Sequence, residues 1–483
     1  MFWRGLVGYL PVQIAQGVVG LLTIVTFTRL LSPAQYGDYA LGFSALSLAH
    51  TICFTWGEAA MARFYQAEAR EGGRLADHFS TVYRAWGLMA LVFPAACAIG
   101  LWLWPAALGV KAAVAAGLVT VLFRSLAKLA QERRRAAGDV RSAALLDVAQ
   151  TVGGFAAGAG LIAFGWGGAA PLAGMGVISA ICLAFVLPRE LKFARGGRFD
   201  ATRARSYAAY GLPVAASLIL ALVLATTDRF LLAAYLNQDV VGVYHAGYSL
   251  ANRTLDVLFI WLGMAGAPAM IASFERGGPE ALRETAREQA GLMAALAFPA
   301  ALGLALVARP LAEVMVGESL RVGAGQVTPW IALSAAFSGI TTYYFHQAFT
   351  LGRQTRLLLL AMSVPAVANL LLNLLLIPRF GLQGALWATA ASYALGVLAS
   401  WGLGRRVIAL PIPWDAIGRA GLATAVMGLV VANLPAQGGV TELVLKSTAG
   451  VIVYGAVAAA LDVGGLRGRA LRLLAARRAG APA

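Results

Sequence analysis

The chain has 483 residues, 60% of them hydrophobic and only 12% charged, and carries a net charge of +16. Its mean hydropathy is +0.74. Soluble domains are roughly one-quarter charged, so this composition excludes water as the main solvent of the folded chain.

Apolar blocks of about twenty residues match the length a helix needs to cross roughly 30 Å of hydrocarbon. In chain order they fall at 5–31, 38–62, 80–104, 109–130, 143–165, 168–188, 208–234, 243–273, 289–316, 325–350, 357–378, 383–404, 416–435 and 443–462. Fourteen such spans joined by short loops predict an all-α integral membrane protein with no attached soluble domain. The first block is too long for a signal-peptide core and lacks a cleavage site, so it is expected to be retained. Cys53, Cys97 and Cys182 lie inside spans without pairing or metal-ligand spacing and read as small core residues.

A strongly basic chain raises the question of nucleic acid, and the distribution of its charge answers it. With the N-terminus inside, every second loop is basic. The clusters are Arg63/Arg70/Arg74, Arg133/Arg134/Arg135/Arg141, Arg189 to Arg205, Arg276/Arg283/Arg287, Arg353/Arg356, Arg405/Arg406 and a tail from Arg467 to Arg478. This is the positive-inside pattern, with both termini cytoplasmic, and no nucleic-acid partner is expected. One missed or invented span would invert the alternation downstream, so the charges support the span count independently.

A repeat sets the expected architecture. At a shift of about 205 residues, Phe93-Pro94-Ala95-Ala96 matches Phe298-Pro299-Ala300-Ala301, and Gly37-x-Tyr39 matches Gly242-x-Tyr244. Leu10-Pro11-Val12 matches Leu212-Pro213-Val214, and Arg29 and Arg229 close the corresponding spans. Six spans repeat as six, and six is even. Both halves therefore enter the membrane in the same sense, a parallel repeat of the kind that encloses a central cavity in transporters. The predicted layout is an N-lobe over 1–188, a basic cytoplasmic linker over 189–207, a C-lobe over 208–404, and two further helices with a basic tail over 405–483.

Charges inside the bilayer cost about 2.5–3.5 kcal/mol each on insertion scales, so each calls for a partner or a function. Arg253 lies about ten residues into the eighth span, roughly 15 Å deep. Asp256 follows three residues later on the same face, which allows either a self-contained pair or a site for an anion. His50 in the second span lies at comparable depth, with Gln13 and Gln16 in the first. Asn369 and Asn373, one turn apart, suit hydrogen bonding between helices. Arg84, Arg124, Lys128 and Asp147 are expected nearer the cytoplasmic ends, snorkelling or lining an inward mouth. The sequence has neither a nucleoside-triphosphate loop nor a His-Glu-x-x-His pair, so a non-enzyme without cofactor is expected. Whether protons or sodium ions are coupled stays open.

Three stretches carry a family resemblance. The segment Thr28-Arg29-Leu30-Leu31-Ser32-Pro33-Ala34-Gln35-Tyr36-Gly37-Asp38-Tyr39-Ala40 is the first. The second runs from Asp228-Arg229-Phe230 through Val241-Gly242-Val243-Tyr244 to Ala246-Gly247-Tyr248, and the third is Asn373-Leu374-Leu375-Leu376-Ile377-Pro378-Arg379-Phe380-Gly381-Leu382-Gln383-Gly384-Ala385. They resemble the polysaccharide (O-antigen type) flippases of the multidrug/oligosaccharidyl-lipid/polysaccharide exporter superfamily. The resemblance implies two MATE-like six-helix lobes forming a V, plus two C-terminal helices, in a bacterial inner membrane. It implies an undecaprenyl-pyrophosphate-linked oligosaccharide as cargo, moved to the periplasmic leaflet by alternating access for lipopolysaccharide or exopolysaccharide assembly. A polysaccharide polymerase and export machinery are the implied partners. Cationic residues lining the cavity would offset the pyrophosphate, with Arg253 first and Arg84 and Arg124 behind it.

A peptidoglycan-precursor flippase shares these features and stays open as a rival. A cation-coupled drug antiporter needs acidic residues at mid-membrane, where this sequence offers chiefly Asp256. A membrane polysaccharide polymerase needs large outer loops, whereas the longest here is the short stretch around Gly317 to Gly325. A non-transporting scaffold would lack a polar cavity.

Overall fold

The computed structural model describes residues 2–70 and 75–465, with side chains described from Ala15 onward except at position 70. Regular structure among them is helical throughout: α1 (Phe2–Leu30), α2 (Pro33–Cys53), α3 (Thr55–Arg70), α4 (Leu75–Leu103), α5 (Leu108–Ala136), α6 (Val140–Ala163), α7 (Ala170–Ala194), α8 (Ala201–Tyr235), α9 (Gln238–Leu306), α10 (Ala308–Met315), α11 (Glu318–Ile340), α12 (His346–Leu351), α13 (Thr355–Gly404), α14 (Trp414–Ala432) and α15 (Gly439–Ala460).

Two of these are helical hairpins. The 69-residue α9 turns at Gly277 and Gly278. Its arms are tied together by Thr285 donating to Ser273 Oγ at 3.0 Å and Gln289 Nε2 donating to the Leu262 carbonyl at 3.2 Å. The 50-residue α13 turns at Gly381, and Gly396 comes back against Pro365. Both turns use a positive φ, 63° at Gly278 and 58° at Gly381, that side-chain-bearing residues rarely adopt. Counting each hairpin twice, and taking α2–α3, the second arm of α9 with α10, and α11 with α12 as one passage each, the described helices make the fourteen predicted passages.

Local chemistry explains where several helices start. Ser32 caps α2 in a reciprocal box with Gln35, and Pro33 occupies the first turn, where its missing N–H costs nothing. Asp139 caps α6 by accepting from the Ser142 N–H at 3.2 Å, and Asp200 caps α8 by accepting from Thr202 and Arg203. The predicted second span is not one rod: it breaks at Phe54, where the backbone leaves helical values before α3 resumes. The predicted fourth span, 109–130, is longer, because α5 continues helical through Arg133–Arg135.

The chain folds as two compact units, Met1–His245 and Ala246–Ala483. In the first, Met61, Phe79, Val82, Leu126, Leu129 and Tyr207 form a buried cluster that joins α3, α4, α5 and α8. The basic linker is strapped to the start of α4. Arg198 N–H donates to Asp77 at 2.7 Å, Asp200 N–H to Thr81 Oγ1 at 3.1 Å, and Ser80 Oγ to the Gly197 carbonyl at 3.2 Å. Arg203 meets Glu68 at 2.9 Å. In the second unit, Ala294, Ala420, Ala423 and Ala458 let α9, α14 and α15 approach closely, as small residues do in membrane bundles. Asn373 donates to Asn369 at 3.0 Å with both residues fully buried, so their hydrogen bond lies within one helix.

The repeat is visible in the first unit as a reciprocal contact. A methyl added at Gly37 would strike the backbone of Gln238, and one added at Gly242 would strike the Pro33 carbonyl. Position 33 plus the repeat shift is 238, and 37 plus the same shift is 242. Equivalent segments thus pack on each other as i on j and j on i, the mark of a local two-fold. Arg29 and Arg229 also behave alike, each donating to the carbonyl four residues back, Val25 at 2.9 Å and Ala225 at 2.5 Å.

Candidate functional site: an intramembrane ion network in the first unit

Three charges stand in one row on α5. Arg124, Lys128 and Glu132 recur every four residues, so they share a helix face, and Arg135 extends it. Arg124 lies nine residues before Arg133, about 13 Å along the helix axis.

Acids from two neighbouring helices face this row. Asp147 on α6 is buried and accepts from Arg135 at 3.3 Å. Glu132 accepts from Arg135 at 2.7 Å. Glu58 on α3 pairs with His50 of α2 at 2.8 Å, with both side chains less than one-fifth exposed. The break at Phe54 separates these two and lets Glu58 fold back toward His50.

Arg124 and Lys128 are different. Both are half-buried, both feel Asp147 and Glu58 electrostatically, and neither reaches a direct ion pair or side-chain hydrogen bond among the described residues. Each acid in the network has a direct partner, while two cations do not. Arg124, Lys128 and Arg135 face the carboxylates of Glu58, Glu132 and Asp147, and because Arg124 and Lys128 have no direct partner the row is cationic at one end. An unpaired guanidinium and ammonium side by side inside a helical bundle suit a multiply charged anion. Arg supplies a planar fork of donors and Lys a point charge.

The other predicted positions are elsewhere. Arg84 is exposed and donates to the Gly197 carbonyl at 3.4 Å, which makes it part of the linker strap. Gln16 is half-buried on α1, and the Gln13 side chain lies outside the described residues. In the second unit, Arg253 and Asp256 are both exposed and do not form an ion pair. Asp256 instead accepts from Asn252, four residues back, at 2.5 Å. Of the two readings of Arg253 and Asp256, the self-contained ion pair is not formed, since the carboxylate is taken by the amide one turn away. Asp256 also feels Tyr343, which belongs to a five-residue π turn, Thr341–Phe345. Such turns break the hydrogen-bond ladder and often mark functional places in helices.

Sequence reading missed Glu58 and Glu132. The four-residue spacing from Arg124 to Glu132 was a usable signal. The approach of Glu58 to His50 was not, because it depends on the break at Phe54.

The fold that carries this network has relatives among known structures, whereas no curated protein matches the chain. The lipid II flippase MurJ in an inward closed conformation superposes with a TM-score of 0.75 at 12% identity, covering 93% of this chain and 98% of that one. An inward-facing multidrug resistance MATE family transporter of the MOP superfamily gives 0.63 at 14% identity, covering 81% and 95%. The MATE multidrug transporter DinF-BH gives 0.53 at 15% identity, covering 83% and 94%. At these identities the matches speak for the fold. The family model described as polysaccharide biosynthesis protein matches residues 26–322, more than half of the sequence. With a fold similar to those of MurJ and the MATE transporters, and with that match spanning the repeat junction, the chain belongs to the polysaccharide biosynthesis protein family.

Proposed function

We propose that the protein flips an oligosaccharide linked to undecaprenyl pyrophosphate from the cytoplasmic to the periplasmic leaflet of a bacterial inner membrane, for cell-surface polysaccharide assembly. The observation that carries this reading is the pair of half-buried cations without direct partners, Arg124 and Lys128, in a chain of this family. A pyrophosphate head is too costly to carry bare through hydrocarbon, and the prenyl tail need never leave it. What the protein must supply is a polar place with available positive charge. In the resting cluster Asp147 and Glu58 offset that charge electrostatically, so the fold does not bear a large uncompensated one. An arriving pyrophosphate takes their place beside Arg124 and Lys128, and its departure restores the balance. Two parallel six-helix lobes over 1–188 and 208–404, alternating in access, complete the mechanism. The chain then acts without enzymatic chemistry, handing cargo to a polymerase and export machinery.

The test is deletion of the gene, followed by identification of the lipid-linked oligosaccharide that accumulates on the cytoplasmic side. Accumulation of a peptidoglycan precursor instead, with surface polysaccharide normal, overturns the cargo assignment. In complementation, Arg124→Ala/Lys128→Ala is expected to lower export at least roughly tenfold with folded protein in the membrane, since charge-assisted hydrogen bonds contribute about 1.5–3 kcal/mol each. Arg253→Ala tests the second unit in the same assay. Full export by the Arg124/Lys128 variant removes that pair from the site.

A further inference from the structure

A cavity of about 630 Å³ opens between α4, α5 and α7, and its lining is almost wholly apolar. Trp86 forms one wall, and its indole N–H is already donated to Ser125 Oγ at 2.9 Å, so the ring offers only apolar surface. Leu183, Leu187 and Leu191 follow one another every four residues along α7, with Pro188 beside them. The groove runs from Ala180 to Leu191, about 16 Å along the helix, close to one leaflet's half of a 30 Å hydrocarbon core.

The helix rows that line the groove end in cations. Four residues beyond Leu191 is Arg195, and four beyond Pro188 is Lys192. Both are exposed, and neither side chain has a hydrogen bond or ion pair among the described residues. On α5 the row from Leu126 leads in eight residues to Arg134. There Arg133 and Arg134 share a single carboxylate, that of the buried Glu190, and Arg133 lies over the Phe193 ring at 4.5 Å. Two guanidiniums on one carboxylate leave a surplus positive charge at the same end of the groove.

We infer that this groove is a binding site for one anionic phospholipid of the basic-side leaflet, an acyl chain lying along α7 and the phosphate held by Lys192 and Arg195. An apolar trough one leaflet long that ends in unpaired cations fits a lipid of that leaflet. A polyprenyl chain is far longer than the trough and has no need of its end. The site is separate from the Arg124/Lys128 pair, and its test reads lipid retention, so it stands or falls independently of the proposed transport.

The full chain, purified in a mild detergent, is titrated with dioleoylphosphatidylglycerol, dioleoylphosphatidylcholine or undecaprenyl phosphate and followed by native mass spectrometry. One phosphatidylglycerol is expected to be retained at least roughly tenfold more strongly than phosphatidylcholine, as two surface cations at about 1 kcal/mol each imply. Lys192→Gln/Arg195→Gln, a surface change that leaves the core intact, should bring that ratio to about one. Ala184→Phe, which fills the trough, should remove the bound lipid. Equal retention of both phospholipids by the unmodified protein overturns the proposal, as does a preference that survives the double substitution. Undecaprenyl phosphate displacing phosphatidylglycerol would assign the groove to the carrier chain and overturn it as well.

Discussion

A charge in a membrane helix is tolerated when something answers it, and the residues of this chain show three kinds of answer. Arg135 is answered by two acids, Arg29 and Arg229 by the carbonyls of their own helices, and Glu190 by two arginines at once. Arg124 and Lys128 have only the longer-range pull of Asp147 and Glu58, which leaves their donors for a ligand. The contrast gives a prediction about which charges are structural. Glu190→Gln leaves Arg133 and Arg134 facing each other around a neutral group at a site where the acid is 1% exposed. Loss of one partner of a buried pair costs about 3–5 kcal/mol, so the purified variant should melt well below the unmodified protein. Arg124→Ala should melt close to the unmodified protein while failing in export. Equal melting losses for the two would mean that Arg124 is a brace as well.

At the scale of elements, caps and glycine turns decide where passages begin and end. The Asp139 carboxyl is held below its usual value, first by its hydrogen bonds with Ser142 and then by Arg134 and Arg133 nearby. A depressed carboxyl stabilises the fold above its unfolded pKa of about 3.9, and that contribution fades as pH falls through the folded value. Asp139→Asn keeps an acceptor for α6 but cannot titrate. Its melting temperature should therefore sit slightly below that of the unmodified protein at pH 7, and the gap should close as pH falls below the lowered folded value. A gap that persists in acid would rule out the ionised cap as its source. The turn of α13 rests on Gly381 at φ 58° and ψ −135°, a conformation open to glycine. Gly381→Ala is expected to cost about 1–3 kcal/mol. Gly402→Ala, where a methyl meets nothing, should be neutral or mildly stabilising and serves as the control.

For the whole molecule, the repeated segments meet at Gly37 and Gly242, where each glycine lies against the other copy's backbone. A methyl at either position must push two helices apart. Gly37→Ala and Gly242→Ala should destabilise to a similar extent, about 1–3 kcal/mol each. The double variant should lose less than the sum, because the first methyl has already opened the shared contact. Strict additivity in unfolding measurements would show that the two positions act separately and would remove the local two-fold. Helix number and repeat were legible beforehand, since span length, alternating loop charge and the Gly-x-Tyr and Phe-Pro-Ala-Ala pairs are written in order along the chain, and the polysaccharide family was legible through the resemblance of the stretches 28–40, 228–248 and 373–385.

The candidate site was legible only in part. His50, Arg124, Lys128 and Asp147 stood out because a charge or imidazole in an apolar run is conspicuous, and Asn252, the true partner of Asp256, did not. The sequence by itself determined the solvent, the number of passages and their doubling, because those follow from the length and periodicity of apolar runs and from charge counts in loops. Tertiary structure alone decided that α2 breaks at Phe54 to bring Glu58 to His50, that α5 runs on helical through Arg133–Arg135, and that Arg84 holds the linker. The physical reason is that pairing between charges depends on which helix faces meet, and a linear pattern of hydropathy carries each helix's length but not its neighbour.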